Sequence, residues 1–136
     1  MDAKSVGLTQ SAGYQIGVRR TLPVSQQQAW DFLVSPEGLK LWLGDIEQVD
    51  LEPGAEYRCG DGTSGQMRVV KPLQQLRLTW QKPGWEKAST LQIRLLPIHE
   101  DRTTVAFHQE HLDGPQTRAL MKVRMEVILG KMAEKL

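Results

Sequence analysis

The stretch LTWQKPGWEKASTLQIRLLP, residues 78–97, decides the fold of this 136-residue chain. Apolar and polar side chains alternate on both sides of a Pro83-Gly84 pair, and this period of two indicates β-strands that are each buried on one face. Proline followed by glycine is typical of a tight turn. The stretch therefore predicts a hairpin of two antiparallel strands, with Trp80 before its turn and Trp85 after it.

Short alternating runs also lie on both sides of this hairpin. Turn signals built from glycine, proline and aspartate recur throughout residues 45–111. Between them lie six runs of strand character: IEQVDL, AEYRC, GQMRVV, QLRLTWQ, STLQIRLLP and TTVAFHQ. Connections this short predict an antiparallel meander in which each strand pairs with the next.

The segment before the meander predicts one strand and two short helices. YQIGVRRTLPV alternates from Tyr14 and indicates a first strand. Ser25, with Gln28 three residues later, forms a capping-box pattern at the start of a helix. Pro36 suits the first turn of a second, very short helix that ends near Gly44.

The C-terminal segment predicts a long amphipathic helix. Residues 116–136 contain no proline and one glycine. At about 100° per residue, five apolar side chains share one face: Met121, Met125, Ile128, Met132 and Leu136. Three more are expected to broaden it: Leu120, Val123 and Val127. An apolar helix face this wide needs a covering surface, and the sheet is the large apolar surface that the pattern provides.

These elements predict an α+β fold. We expect a curved antiparallel sheet of about seven strands wrapped around a long C-terminal helix, with two short helices after the first strand. Residues 1–12 are small and polar and are expected to form a flexible leader. Residues 13–136 are expected to form a single domain, because a chain of this length can bury one core.

Composition narrows the classes of partner and compartment. Lys plus Arg number 17 against 16 Asp plus Glu, a net charge of +1 that does not indicate binding to nucleic acid or to an anionic membrane. The single cysteine, Cys59, excludes an intrachain disulfide and a four-cysteine metal site. No signal-peptide pattern and no membrane span are found, so we expect a cytoplasmic protein.

In order and spacing, these motifs resemble the START-like (SRPBCC) superfamily, which has the helix-grip fold of the birch pollen allergen and of polyketide cyclases. Within it, the chain is most similar to the branch named after the activator of the ATPase of the large heat-shock chaperone. The pieces that carry the resemblance are VRRTLPV, AWxFL, SPEGL, WLG, EPG, residues 78–97 and RTTV. They extend from Tyr14 to about the C-terminus.

The resemblance implies a cavity between the concave face of the sheet and the last helix. Methionine and aromatic side chains suit an adaptable apolar pocket. We place eight residues around it: Tyr57, Met67, Trp80, Trp85, Phe107, Met121, Arg124 and Met125. Large apolar residues also fill cores, so the same set is compatible with plain packing.

Two members of this set have more specific interpretations. Trp80 is expected to anchor the sheet, whereas Trp85 follows the turn and either contacts a ligand at the opening or caps the core. Arg124 lies between Leu120 and Ile128 on the helix wheel. Its charge therefore holds an anionic ligand group, forms a salt bridge, or extends to water.

Other patterns do not support catalysis or cofactor binding. His108 and His111 point to opposite faces of a strand, and no third ligand has suitable spacing, so no metal is predicted. Cys59 has no neighbouring histidine, and no nucleophile elbow occurs. Residues 60–65 are glycine-rich but are followed by a strand, which favours a hairpin turn over a phosphate-binding loop. No cofactor is expected, and an enzyme is the less favoured class.

Three functional hypotheses remain. The first is noncatalytic binding of a small hydrophobic or amphipathic molecule, such as a lipid or a polyketide, between the sheet and the last helix. The second is a protein-interaction module that contacts a chaperone, which rests on the resemblance alone. The third is an enzyme of the cyclase or hydratase type. A homodimer could form through a sheet edge or through the region of Trp42 and Leu43.

Overall fold

The computed structural model describes residues 8–9 and 13–136, and its centre is one antiparallel sheet of seven strands. The strands are β1 (Leu8–Thr9), β2 (Gly13–Leu22), β3 (Glu56–Arg58), β4 (Ser64–Lys71), β5 (Gln75–Trp80), β6 (Ser89–His99) and β7 (Arg102–Leu112). Their order across the sheet is β1-β2-β7-β6-β5-β4-β3, and all neighbours are antiparallel. The predicted α+β class and strand number are confirmed.

The predicted leader falls mostly outside the described residues. Within residues 1–12, only Leu8–Thr9 are described, and they pair with Tyr14 and Gly13 at the start of β2. The division into a leader and one domain from residue 13 stays a prediction. The described helices and strands share a single hydrophobic core.

Two short helices follow β2, α1 (Gln26–Leu33) and α2 (Pro36–Trp42). The chain then continues to β3, which is the strand at the far edge of the sheet. The predicted capping box is present. The Ser25 side chain accepts a hydrogen bond from the Gln28 amide at 3.0 Å, and the Gln28 side chain accepts one from the Ser25 amide at 2.8 Å. The Ser35 side chain caps α2 by accepting a hydrogen bond from the Gly38 amide at 3.0 Å, and Pro36 occupies the first turn of α2.

The long C-terminal helix, α3 (Pro115–Lys135), packs against β2, β7 and α2. Its buried side chains are Met121, Met125, Ile128, Leu129 and Met132. The expected broadening of this face is wrong, because Leu120, Val123 and Val127 are 66%, 58% and 49% exposed. Leu120 and Val127 each lie about 100° around the helix axis from the buried residue that follows them. Because the sheet covers only one side of α3, this rotation is enough to place both side chains in solvent.

The predicted strand IEQVDL does not form. Residues 46–51 are irregular and connect α2 to the turn before β3. Ile46, Val49 and Leu51 are half-buried and pack on the edge of the core. The spacing of three between Ile46 and Val49 breaks the period of two that a strand with one buried face requires.

The proposed subunit contact through Trp42 and Leu43 is also wrong. Both side chains are fully buried, and the Trp42 ring nitrogen donates a hydrogen bond to the Leu33 carbonyl at 2.8 Å. These residues fix the end of α2 to α1 and are not available to a second chain. A homodimer through a sheet edge stays a prediction.

Among the described helices, none combines the length and the apolar composition that crossing a lipid bilayer would require.

The contact between α1 and α2 depends on the absence of a side chain at Gly38. A Cβ atom at this position would overlap the carbonyl group of Phe32 in α1. We therefore expect Gly38→Ala to lower the free energy of unfolding by about 2–3 kcal/mol, measured by chemical denaturation.

Gly114→Ala is the matched control for this substitution. Gly114 has extended backbone, and a Cβ atom there would meet nothing within 4 Å. Its free energy of unfolding should change by less than about 0.5 kcal/mol. Equal stability of the two variants would contradict the proposed helix contact.

Candidate functional site

The eight residues predicted to line a cavity cluster where the inner face of the sheet meets α3. Six of them are buried members of the core: Tyr57, Met67, Trp80, Phe107, Met121 and Met125. Trp85 packs against the core but is half-exposed, and Arg124 is half-buried beside Trp80. Six of the eight are thus packed in the core, Trp85 and Arg124 are nearest to solvent, and their role as cavity residues stays a prediction.

Trp80 and Trp85 have different environments on the two sides of one turn. Gly84 has a φ of 88°, and the Trp85 amide donates to the Lys82 carbonyl at 3.1 Å, so Pro83-Gly84 forms the expected tight turn. The two indole rings meet edge to face, with centroids 5.5 Å apart. Trp80 is buried, and its ring nitrogen donates to the Leu43 carbonyl at 2.8 Å. Trp80 thus anchors β5 to the end of α2, while Trp85 covers it from outside.

Arg124 connects α3 to this pair. Its guanidinium lies 4.6 Å from the centroid of the Trp80 ring and donates a hydrogen bond to the Trp42 carbonyl at 2.6 Å. Burial lowers the pKa of Arg124 to about 10, against the opposing influence of Asp61 and Tyr57. Arg124 is therefore still a cation at neutral pH. It takes part in none of the ion pairs within the described residues, so the predicted salt bridge does not form there.

The groups near Arg124 on β3 and the following turn are uncharged or exposed. Burial raises the pKa of the Tyr57 phenol above its ordinary range, and its hydroxyl donates to the Thr79 carbonyl at 2.6 Å. Burial also raises the pKa of Cys59 to about 11, with further contributions from Asp61 and Asp45. For Asp61, burial raises the pKa, but hydrogen bonds from Thr63 outweigh it and the net shift is downward. Tyr57 and Cys59 are thus neutral near pH 7.

A surface groove of about 420 Å³ opens between the turn and the first half of α3. We call it the mouth groove, and its lining residues are Lys82, Pro83, Trp85, Thr117, Leu120, Met121 and Arg124. Its volume lies within the range of about 300–1,000 Å³ that is common for ligand sites. One side is apolar and the other carries two cations, so the groove matches an amphipathic molecule better than a purely apolar one.

The mouth groove contains residues that sequence reasoning missed. Lys82 could have been found from its place in the turn next to Trp85. Leu120 was expected to be buried. It lines the groove instead, because the sheet covers only one side of α3 and leaves Leu120 exposed. A second groove of about 360 Å³ shares Trp85 with the mouth groove, and Glu86, Lys87, His111 and Asp113 also line it.

A buried polar cluster lies behind this end of the sheet. The Ser89 hydroxyl donates to the Trp80 carbonyl at 2.6 Å and accepts a hydrogen bond from the Gln109 amide nitrogen at 2.8 Å. Gln109 is 1% exposed, and its side-chain oxygen has no hydrogen-bond partner among the described residues. The Ser89 hydroxyl has one proton and donates it to the Trp80 carbonyl, so it can only accept a hydrogen bond from Gln109. The side-chain amide of Gln109 must therefore direct its nitrogen toward Ser89. An acceptor is therefore left over inside the core.

The polar residues of the core are hydroxyl and amide groups. The buried ones in the described part of the chain are Thr63, Ser89, Thr103, Thr104 and Gln109. Such groups can orient a bound molecule, but they do not exchange protons near neutral pH as an acid and base pair must. No set of three or more metal-ligating side chains occurs within residues 8–9 and 13–136. Residues 60–63 connect β3 to β4 as the expected hairpin turn.

Comparison with solved structures supports the helix-grip assignment. CalU16 from Micromonospora echinospora superposes with a TM-score of 0.75 at 22% identity, covering 93% of this chain and 79% of CalU16. DynU16, from the dynemicin biosynthetic locus, gives 0.72 at 19% identity and covers 88% of this chain and 46% of DynU16. PFC0360w from Plasmodium falciparum, described as an HSP90 activator, gives 0.69 at 16% identity and covers 85% and 96%. Identities this low establish the fold alone.

Sequence comparison gives the family. A search of curated proteins finds no match. Residues 23–136, from the end of β2 to the C-terminus, match the family described as "Activator of Hsp90 ATPase homolog 1-like protein". This range includes both short helices, five of the seven strands and all of α3. The chain therefore belongs to the activator of Hsp90 ATPase homolog 1-like family, within the START-like superfamily that its sequence resembles.

Proposed function

We propose that this domain is a noncatalytic binding protein for a small amphipathic molecule, held between the end of the sheet and α3. The observation that carries the proposal is the mouth groove, which combines an apolar wall with the Arg124 cation. The apolar part of the ligand would contact Trp85, Leu120 and Met121. Its anionic or polar group would lie near Arg124 and Lys82.

Arg124 is suited to this role because its charge has few competitors. It contacts an aromatic face and a backbone carbonyl, and Asp61 acts on its charge without forming an ion pair with it among the described residues. A guanidinium has five N–H donors in a planar fork, and one hydrogen bond, to Trp42, accounts for one of them. An anionic group at the groove would use further donors and gain charge-assisted hydrogen bonds.

The buried residues behind the groove form the proposed inner wall of the cavity. They are Tyr57, Met67, Trp80, Phe107 and Met125. Methionine side chains have three rotatable bonds and repack at low cost. Rotation of Met121, the groove residue that also belongs to the core, would extend the groove toward these side chains.

The proposal predicts measurable binding of small aromatic probes. Titration calorimetry with 1-naphthoate and with 1-naphthalenemethanol distinguishes the contribution of the apolar wall from that of the cations. The two probes share the naphthalene ring, and only naphthoate carries a negative charge. We expect both to bind and Leu120→Gln to weaken both by at least about fivefold, since the groove loses an apolar wall. Arg124→Met should weaken naphthoate by about tenfold and leave the alcohol unchanged.

Val127→Gln is the matched control for Leu120→Gln. Val127 is another exposed apolar residue of α3, and it does not line the mouth groove. Both variants remove one exposed apolar side chain, so both should keep the melting temperature of the parent protein. Equal binding by the two variants, or no binding of these probes and of a wider set of fatty acids and isoprenoids, would contradict the proposal.

A second candidate is an interaction module for a chaperone of the Hsp90 class, favoured by one feature of α3. Leu120, Val123 and Val127 follow one another at spacings of three and four, so they form an exposed apolar stripe on one face. Exposed apolar stripes on helices are a common way to bind a protein partner. The family name and the description of PFC0360w point in the same direction.

This second candidate predicts that the domain changes the ATPase rate of a purified Hsp90-class chaperone. The double variant Val123→Glu/Val127→Glu should abolish the effect, because it places charge in the stripe. Lys122→Glu is the control, since this single substitution lowers the net charge by the same two units at an exposed position of α3 outside the stripe. Identical ATPase rates with and without the unmodified domain would eliminate this candidate.

A further inference from the structure

A separate depression lies on the outer face of the sheet, opposite α3. We call it the Ala106 dent, and its volume is about 310 Å³. Its lining residues are Gly17, Val18, Arg19, Gln92, Arg94, Ala106, Phe107 and His108. None of them lines the mouth groove. The dent is therefore separate from the mouth groove.

The sheet register places two arginines around one small residue. Ala106 on β7 is paired with Arg19 on β2 and with Arg94 on β6. Neighbouring strands are about 4.8 Å apart, so the Cα atoms of the two arginines are separated by about 10 Å across Ala106. Residues paired directly across neighbouring strands point to the same face. Both guanidinium groups can thus reach over the same point of the sheet.

The depression exists because two neighbouring positions carry almost no side chain. Ala106 contributes one methyl group, and Gly17, in the next row of the sheet, contributes none. His108 is paired with Gly17 and with Gln92, and it closes one end of the dent. Long side chains at positions 17 and 106 would fill this space.

The dent carries the positive charge of two arginines, which no residue in the described part of the chain compensates. Among the described residues, neither Arg19 nor Arg94 takes part in a hydrogen bond from its side chain or in an ion pair. His108 shares a hydrogen bond of 2.9 Å with the Gln15 side chain. Glu110, two residues beyond His108 on β7, is paired with Arg77 at 3.6 Å. The two cations flank Ala106 from opposite sides, so a single anion above Ala106 would interact with both.

We propose that the Ala106 dent binds the phosphoryl group of a small organic phosphate. A phosphoryl dianion matches two guanidinium groups in charge, and arginine forks bind phosphate oxygens in a bidentate manner. A carboxylate brings one charge and would leave one arginine unpaired. The volume of the dent exceeds that of the phosphoryl group alone, so a small organic portion has room beside Gln92 and His108.

The test is an NMR titration of the full chain with phenyl phosphate, inorganic phosphate and benzoate at constant ionic strength. We expect phenyl phosphate to bind in the millimolar range or tighter, to shift the amide signals of residues 17, 106 and 108, and to exceed benzoate by about tenfold in affinity. Arg19→Gln and Arg94→Gln should each weaken phenyl phosphate by about five- to tenfold. The double variant should show no saturable binding.

Two further variants separate a shaped site from general charge. Arg58→Gln removes the same charge from β3, four strands away from β7, and should bind phenyl phosphate like the parent protein. Ala106→Leu keeps both arginines and fills the dent, and it should weaken binding by at least about fivefold if shape matters. Both arginines are exposed, so their removal should leave the melting temperature unchanged, which circular dichroism verifies.

Three outcomes would overturn the proposal. One is equal binding of phenyl phosphate by the parent and the Arg19→Gln/Arg94→Gln variant. Another is binding by Ala106→Leu as tight as that of the parent. In the third, the parent protein does not bind phenyl phosphate but binds vesicles containing phosphatidic acid through the same arginines. This result would assign the surface to a membrane headgroup instead.

Discussion

The mutual burial of α3 and the inner face of the sheet is the constraint on which the rest of this structure depends. Five apolar side chains of α3 leave water there, each contributing about 1.5–3 kcal/mol relative to exposure. The sheet cannot cover its own inner face, and α3 is too apolar on one side to remain in solvent. The strand order follows from this constraint, since β2 and β7 pair at the place where α3 packs.

One part of this interface differs from the rest because α2 and β5 both end there, beside Arg124 of α3. The last turn of α2 supplies the Trp42 and Leu43 carbonyls, which accept hydrogen bonds from Arg124 and Trp80. The carbonyls at a helix end lack partners within the helix, so they are natural acceptors for side chains. A single arrangement thus caps α2, fixes β5 and holds a cation at the edge of the core. The proposed ligand site uses groups that the fold already needs.

Much of this architecture could be predicted from the sequence. Periodicity indicates which face of an element is buried, and capping residues indicate where a helix begins. The alternation in residues 75–80 and 89–95 gave the strands and their inner faces, and Ser25 with Gln28 gave the start of α1. Residues 46–51 were mistaken for a strand because they lie between turn signals like the true strands, although the spacing of Ile46 and Val49 does not alternate. Gln109 was within reach, because it continues the inward series of Val105 and Phe107.

The parts of the site that escaped prediction depend on how segments distant in sequence meet. The exposure of Leu120 follows from the extent to which the sheet surrounds α3, and helical periodicity carries no information on that extent. The Trp42 carbonyl that receives Arg124 is a backbone group 82 residues away. Likewise, the pair of arginines beside Ala106 exists only through the register of three strands. In each case the tertiary arrangement, and not the type of side chain, determines which groups become neighbours.

The unequal exposure of the tryptophans has an optical consequence. Trp30, Trp42 and Trp80 are buried, whereas Trp85 is half-exposed and stands edge to face with Trp80. Indoles that are close together and rigidly crossed couple their electronic transitions, so this pair should give a distinct band in the near-ultraviolet dichroism spectrum. Excitation at the red edge of the absorption would select the ring in contact with water. The chain thus carries an intrinsic chromophore at the mouth groove, without any added label.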